Sequence, residues 1–256
     1  LHEVGPNAAF ILAPVIASLA LRITTWRGVI IGSGVTALAL SLLFFFFSPA
    51  GNFRGSPPHL THVRDLLGKP LLWAVGGFIT IAACATYGVF SIMPTYLVDE
   101  EGLSIEVVGA VIGASRISGV VMVFLSGWLL DRLGTVRLIA TVMLVTGLLT
   151  ASIGVVQGNA LLLIVFLQPV VISAFFPAAI SSFAYLGPPE IRNVGVSLII
   201  PFANLASGGL FPSVMGALGD RGRTGLGFSV FGLIMVSSLL LLPLLRRGVA
   251  EGEATA

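Results

Sequence analysis

Residues Gly127 to Arg137 read GWLLDRLGTVR, a short polar stretch between two long apolar runs. It contains one acidic residue, Asp131, two basic residues, Arg132 and Arg137, and a glycine suited to a turn, Gly134. Basic residues beside apolar runs of this length are typical of the cytoplasmic loops that join membrane-spanning helices. The stretch therefore predicts a hairpin of two membrane helices whose turn faces the cytoplasm.

The composition of the whole chain agrees with this prediction. Of its 256 residues, 56% are hydrophobic and only 9% are charged, whereas soluble domains carry about 25% charged residues. A helix that crosses a hydrocarbon core about 30 Å thick needs roughly 20 apolar residues. Segments of about that length can be drawn at 4–21, 28–47, 71–98, 107–130, 138–156, 161–186, 194–218 and 226–245. The predicted fold class is an all-α integral membrane protein with about eight transmembrane helices.

Charge and cysteine content exclude several other classes. The net charge is +2 and the basic residues are scattered between apolar runs, so we expect no nucleic-acid partner. The single cysteine, Cys84, lies in an apolar run and is interpreted as a packing residue. The chain starts at Leu1 without the basic region of a signal peptide, so we expect it to begin inside a longer protein.

Polar connections suggest how the chain is organised. The longest connection, 48–69, is rich in glycine and proline and has two apolar segments before it and six after it. If this connection is cytoplasmic, most Lys and Arg residues fall on the cytoplasmic side, as the positive-inside rule requires. We predict a pair of helices in 1–48, a central cytoplasmic loop in 49–69, six helices in 70–247 and a cytoplasmic tail in 248–256.

Arg116 is a charged residue inside an apolar segment. It precedes Asp131 by 15 residues, which corresponds to about 22 Å along a helix and places it near the bilayer midplane. Such an arginine costs roughly 2.5–3.5 kcal/mol on insertion scales and must face a partner or a watery cavity. Its guanidinium fork suits carboxylates and other oxyanions. Two interpretations stay open: a substrate-anion site, or a structural arginine paired with a carboxylate or carbonyls.

Three uncharged polar residues, Asn204, Gln168 and Tyr87, also lie deep in apolar segments. They are candidates for the wall of a substrate cavity, and hydrogen bonding between helices is the alternative. Gly109 and Gly113 form a small-xxx-small pair of the kind that lets membrane helices approach closely.

The loop resembles the signature of the major facilitator superfamily of secondary transporters, G-x-x-x-D-R/K-x-G followed by basic residues. Here the signature corresponds to Gly127, Asp131, Arg132, Gly134 and Arg137. Counted from the chain end, it occupies the position between helices eight and nine of a twelve-helix member. The resemblance implies that 1–48 holds helices five and six, that 70–247 is the six-helix C-terminal half, and that the first four helices are missing. Trp26-Arg27 and the segment from Pro188 to Arg192 are similar to further family patterns.

The resemblance also implies a function. Members move a small solute by alternating access, with two halves rocking around a site near the midplane. We expect a small-molecule substrate, either an organic or an inorganic anion held by Arg116, and an ion gradient or counter-substrate as energy source. Its setting would be a bacterial cytoplasmic (inner) membrane, which it crosses several times, and the full-length protein would be a monomer in the lipid bilayer.

The signature loop is expected to control the cytoplasmic gate. Asp131 can accept hydrogen bonds from the positive N-terminal end of a partner helix. A charge network at the same interface would include Arg132, Arg137, Glu190, Arg192 and Glu3. The alternative is that these cations only set orientation, and that Glu3 is an interfacial residue or takes part in proton coupling.

The sequence is also compatible with other functions. Efflux of multiple drugs or other hydrophobic solutes is an alternative, as is a non-transporting receptor or scaffold on the same fold. The G-x-G-x-x-A match that starts at Gly32 is set aside as a nucleotide site because no acidic residue follows about 20 positions later. His59 and His62 lack a nearby carboxylate or thiolate cluster, so no metal or cofactor is expected. No paired catalytic groups are visible, and the protein is not expected to be an enzyme.

Overall fold

The computed structural model describes residues 9, 12, 16–17, 19–48 and 60–254, apart from the side chains of 60–62 and 189–190. The described residues form helices and no strands, which confirms the predicted all-α class. The chain divides into two compact units, Leu1–Pro57 and Pro58–Ala256. Within the described part, seven helices are long and apolar enough to cross a membrane. The first predicted segment, 4–21, lies largely outside the described residues.

The first unit contains helix α1, Trp26–Phe47. Its 22 residues extend about 33 Å, which is enough to cross a bilayer. Thr25 caps the N-terminus by accepting a hydrogen bond from the Gly28 N–H at 3.4 Å. Arg27 is its only charged residue, so the helix is apolar along almost its whole length.

The second unit is built from one short helix and six long ones. Their bounds are α2 Leu60–Leu67, α3 Pro70–Glu100, α4 Ile105–Leu133, α5 Thr135–Ile153, α6 Gly158–Leu186, α7 Ile191–Gly219 and α8 Thr224–Ala254. Short connections join the long helices, so successive helices run in opposite directions. Helix α8 ends at Ala254 and so extends into 248–256, the predicted cytoplasmic tail. The domain boundaries stay a prediction.

Two of the long helices contain wide π turns. Helix α3 has one at Cys84–Gly88 and another at Tyr96–Glu100, and α7 has one at Ala206–Leu210. The first π turn of α3 packs against that of α7. Gly88 allows this contact, since a Cβ built on it would lie 2.5 Å from the Phe211 ring. The wide turns of both helices are thus held together near mid-length.

Helices α5 and α8 make the closest helix crossing through glycine. A Cβ at Gly154 would lie 1.8 Å from the Gly225 carbonyl oxygen, and one at Gly232 would lie 2.2 Å from the Ala151 backbone nitrogen. The Ser229 hydroxyl donates a hydrogen bond of 2.9 Å to the Ala151 carbonyl across this contact. The two backbones can approach this closely only because glycine has no side chain to keep them apart.

The small-residue contact predicted from the sequence lies elsewhere. In the described part of the chain, no atom of another helix comes within 4 Å of a Cβ built on Gly109 or Gly113. Helix α4 packs instead on α6, while α3 packs on α7 and α5 packs on α6 and α8. The glycines that bring these helices together include Gly88 in α3, Gly232 in α8 and Gly154 directly after α5.

The alternating direction of the helices sorts the charges of the second unit into two ends. One end, called the basic end, holds the start of α3, the α4–α5 turn, the α6–α7 connection and the end of α8. Its Lys and Arg residues are Arg64, Lys69, Arg132, Arg137, Arg192, Arg246 and Arg247, and its acidic residues are Asp65, Asp131, Glu190, Glu251 and Glu253. The other end, called the acidic end, carries Asp99, Glu100, Glu101, Glu106 and Asp220 beside Arg221 and Arg223.

Candidate substrate-binding site

Arg116 is buried in the middle portion of α4. Its residue is 5% exposed, and it lies about 17 Å along the helix from Ile105 and about 25 Å from Leu133. Its Nη2 donates a hydrogen bond of 3.4 Å to the Thr86 carbonyl, and its Cζ lies 4.0 Å from the centroid of the Phe90 ring. A guanidinium at this depth is held by a carbonyl dipole and an aromatic face.

Gln168 of α6 is the second buried polar residue of the site. Its Nε2 donates to the Ala85 carbonyl at 3.0 Å and to the Thr150 hydroxyl at 3.4 Å. The Thr150 hydroxyl in turn donates to the Thr146 carbonyl at 2.8 Å. The amide is thereby fixed between α3 and α5.

The first π turn of α3 connects these two residues. Ala85 and Thr86, whose carbonyls accept from Gln168 and Arg116, both belong to Cys84–Gly88. A π turn replaces the regular i→i−4 hydrogen bonds with i→i−5 bonds, and such turns are frequent at functional sites. The irregular backbone therefore supplies acceptors where a buried amide and a buried guanidinium require them. Thr86, Phe90 and Thr150 were not identified from the sequence as part of the site. The available signal was Gly88, which ends the π turn Cys84–Gly88 and indicates an irregular helix there.

Arg116 and Gln168 line one small cavity. Its other lining residues are Val89, Phe90, Met93, Ile112, Ser115, Val165 and Pro169. Its volume of about 20 Å³ accommodates roughly one water molecule. Among the described lining residues, Arg116 carries the charge and most of the others are apolar. In this conformation the cavity is too small for an organic solute.

The other two predicted site residues are placed differently. Tyr87 is partly buried and belongs to the same π turn as Ala85 and Thr86. Asn204 of α7 is exposed and does not line the cavity; its carbonyl accepts a hydrogen bond of 3.4 Å from the Ser207 hydroxyl. The structure thus brings Arg116 and Gln168 together in one cavity, whereas neither Tyr87 nor Asn204 lines it.

The signature loop forms a turn of a single residue. Gly134 separates α4 from α5, has φ = 74°, and donates its N–H to the Leu130 carbonyl at 2.9 Å. This positive φ favours glycine strongly, which explains its place in the loop. The remaining loop residues of the signature, Asp131, Arg132 and Arg137, are exposed, as is Gly127 near the end of α4.

The expected charge network is not assembled within the described residues. There, Arg132 stacks on the Trp128 ring at 4.7 Å, and no ion pair joins Asp131, Arg132, Arg137 and Arg192. The side chain of Glu190 and the whole of Glu3 lie outside the described residues. The network stays a prediction about contacts with other parts of the protein.

The described residues also contain no group of three or more His, Cys, Asp or Glu side chains that could hold a metal ion. The lining of the cavity offers the Arg116 guanidinium, the Gln168 amide and the Ser115 hydroxyl in otherwise apolar surroundings. Such a set binds and orients a polar solute by hydrogen bonding and charge.

The fold defines a multi-pass integral membrane protein, with Arg116 and Gln168 buried between its helices. Comparison of sequences gives the family. The sequence model of the Major Facilitator Superfamily matches residues 1–160, and the chain belongs to this superfamily. No curated protein matches the sequence.

Solved structures with the same fold include a bacterial homolog to the human lysosomal transporter Spinster. Its inward-facing unoccupied form has a TM-score of 0.54 and 17% identity, with 97% of this chain and 65% of that chain covered. Its inward-facing occupied form has a TM-score of 0.52 and 15% identity, with 98% and 64% covered. At this identity the likeness establishes the fold. The chain spans about 65% of the length of the structures it matches.

Proposed function

We propose that this protein is a secondary active transporter that moves a small organic or inorganic anion by alternating access. Membership of the superfamily supports transport. The observation that carries the choice of substrate is the shared cavity of Arg116 and Gln168 at mid-depth in the helices. An ion gradient or a counter-substrate supplies the energy.

The chemistry of the cavity suits an anion. A guanidinium presents several N–H donors in a planar fork that matches a carboxylate or a similar oxyanion. Charge-assisted hydrogen bonds of this type are stronger than neutral ones, and the apolar walls exclude competing water. The Gln168 amide donates to Ala85 and Thr150 and so holds in place the π turn whose Thr86 carbonyl accepts from Arg116.

Access to the site requires a change of shape. The cavity has room for about one water molecule, so the solute enters only after the surrounding helices separate. Helices α3 and α7 carry wide π turns that pack against each other. We place the bending that opens the site at these turns, because hinge positions concentrate where regular helix geometry is interrupted.

The signature loop would act at the cytoplasmic gate. Lys and Arg are concentrated at the basic end, and the positive-inside rule places that end in the cytoplasm. Asp131, Arg132 and Arg137 are exposed there and available to a partner surface. The full-length protein would work as a monomer in a bacterial cytoplasmic membrane.

Flux measurements on the full-length protein in proteoliposomes test the proposal. A panel of labelled small anions is screened for uptake and counterflow, and Arg116→Lys is compared with Arg246→Lys, an exposed arginine outside the site. Lysine cannot replace the planar guanidinium fork of Arg116. The substitution should therefore raise the KM for the transported anion about 10–100-fold, as expected for a buried charge-assisted pair. The control should transport normally.

Gln168→Leu gives a second readout. Removing the amide leaves the Ala85 carbonyl without its donor and loosens the π turn beside Arg116, so flux should fall, but less than in Arg116→Lys. Flux of lipophilic dyes that is unaffected by Arg116→Lys would refute the anion site and favour hydrophobic-solute efflux. Absence of any flux from correctly folded protein would favour a receptor or scaffold.

A further inference from the structure

An apolar groove runs between α7 and α8 on the surface of the second unit. Its volume is about 470 Å³, within the range of small-molecule sites. Buried Phe211, Met215 and Cys84 lie in its floor, while Val214 of α7 and Val230 of α8 are about half exposed along its walls. We call this the α7–α8 groove.

The length of the groove corresponds to one leaflet. On α7 its lining runs from Ala206 to Leu218, about 18 Å along the helix. Half of a hydrocarbon core about 30 Å thick is roughly 15 Å. The lower end reaches Cys84, near the middle of α3, and the upper end reaches the acidic end beside the α7–α8 connection. An extended acyl chain from the leaflet at the acidic end therefore matches the groove.

A polar cavity adjoins the groove at the acidic end. Its volume is about 500 Å³, its lining includes Glu100, Glu101 and Arg223, and it shares Leu226 with the groove. Leu226 is 55% exposed, so the boundary between the two is open to the surroundings. The α7–α8 groove and a cavity with both signs of charge thus lie next to each other at Leu226.

The two carboxylates are fixed in place by hydrogen bonds, Glu100 to the start of α8 and Glu101 to Tyr96 of α3. Glu100 accepts hydrogen bonds from the Thr224 backbone N–H at 3.2 Å and from the Thr224 hydroxyl. Glu101 accepts one of 2.7 Å from the Tyr96 hydroxyl. Each ionised carboxylate has about four acceptor sites, so both keep capacity for an additional donor. The cavity presents ordered negative charge beside one guanidinium.

We propose that the α7–α8 groove and this cavity form a binding site for a phospholipid with a zwitterionic amine headgroup. One acyl chain lies in the groove, the phosphate faces Arg223, and the ammonium faces Glu100 and Glu101. A headgroup with only negative charge loses the contacts with the carboxylates and is repelled by them. The charge pattern of the cavity thus selects the headgroup, and the groove supplies the apolar contact area.

Native mass spectrometry of the full-length protein in detergent tests the site. The protein is incubated with equal amounts of phosphatidylethanolamine and phosphatidylglycerol, and retained lipid is counted after collisional removal of the micelle. We expect one retained phosphatidylethanolamine, preferred about tenfold over phosphatidylglycerol. Val230→Trp fills the groove and should remove the retained lipid. Leu233→Trp, on an exposed position of α8 outside the groove, should retain it.

Photocrosslinking supplies an independent measurement. A phosphatidylethanolamine with a diazirine near the end of one acyl chain should label the segment around Phe211 and Met215, and Val214→Trp should abolish this labelling. Arg223→Gln should reduce retention about tenfold without moving the crosslink. Equal retention of both headgroups, retained lipid in folded Val230→Trp, or crosslinks spread evenly over the protein would each overturn the proposal.

Discussion

Replacing Gly232 by alanine should destabilise the second unit, because it forces apart the closest helix crossing. The new Cβ would lie 2.2 Å from the Ala151 nitrogen and 2.5 Å from the Gly147 carbonyl oxygen, whereas ordinary contacts begin at 3.4 Å. Both atoms belong to helical backbone, so no side chain can rotate away. Helices α5 and α8 must separate by about 1 Å, as overpacked cores do.

Three contributions determine the expected change in the free energy of unfolding. Overpacking a well-packed core costs about 1–3 kcal/mol. Separation also strains the 2.9 Å hydrogen bond from Ser229 to Ala151, worth about 1 kcal/mol. The higher helix propensity of alanine stabilises α8 by about 1 kcal/mol. We expect a net loss near 2 kcal/mol and a melting temperature about 4–8 °C lower.

Thermal unfolding in detergent measures this effect. Gly216→Ala is the matched control, since a Cβ there meets no atom within 4 Å in the described structure. It should leave the melting temperature unchanged or raise it, because it gains helix propensity without a clash. A Gly232→Ala protein that melts within 1 °C of the parent, roughly a tenth to a quarter of the expected shift, would show that the α5–α8 crossing is not as tight as argued.

Two further predictions concern the signature loop. Gly134→Ala should lower the free energy of unfolding by about 1–3 kcal/mol, because φ = 74° with ψ = 162° is a conformation that only glycine adopts readily; Gly109→Ala, on open surface, should be neutral, and equal melting of the two variants would contradict the argument. In a Cys84→Ala background, a cysteine introduced by Arg137→Cys should react with an impermeant maleimide only after cells are permeabilised. A cysteine introduced by Arg223→Cys should react in intact cells. The reverse pattern would show that the proposed orientation is inverted.

The sequence predicted the class of fold because the bilayer leaves few alternatives. Backbone polar groups in hydrocarbon must be satisfied within the segment, so an apolar run of about 20 residues forms a helix whatever its neighbours are. The turn at Gly134 could be anticipated for a similar local reason. The superfamily, too, was recognised correctly from the signature around Asp131, and its sequence model bears this out.

The partners of individual residues could not be predicted in this way. Gly109 and Gly113 have the same spacing as a helix-contact motif, yet the closest crossing in the described structure is made by α5 and α8. Small residues permit close approach, but the sequence does not state which helix approaches. That choice depends on how all six helices of the unit share their buried surface.

By itself, the sequence determined that apolar segments cross a membrane, that Arg116 lies deep within one of them, and that the loop after it is a tight turn. These properties depend on local composition and on distance along one helix. Only the tertiary structure decided that a π turn in α3 offers its carbonyls to Arg116 and Gln168. The hydrogen bonds that fix this site join residues 30 and 83 positions apart, and their geometry arises from packing between helices.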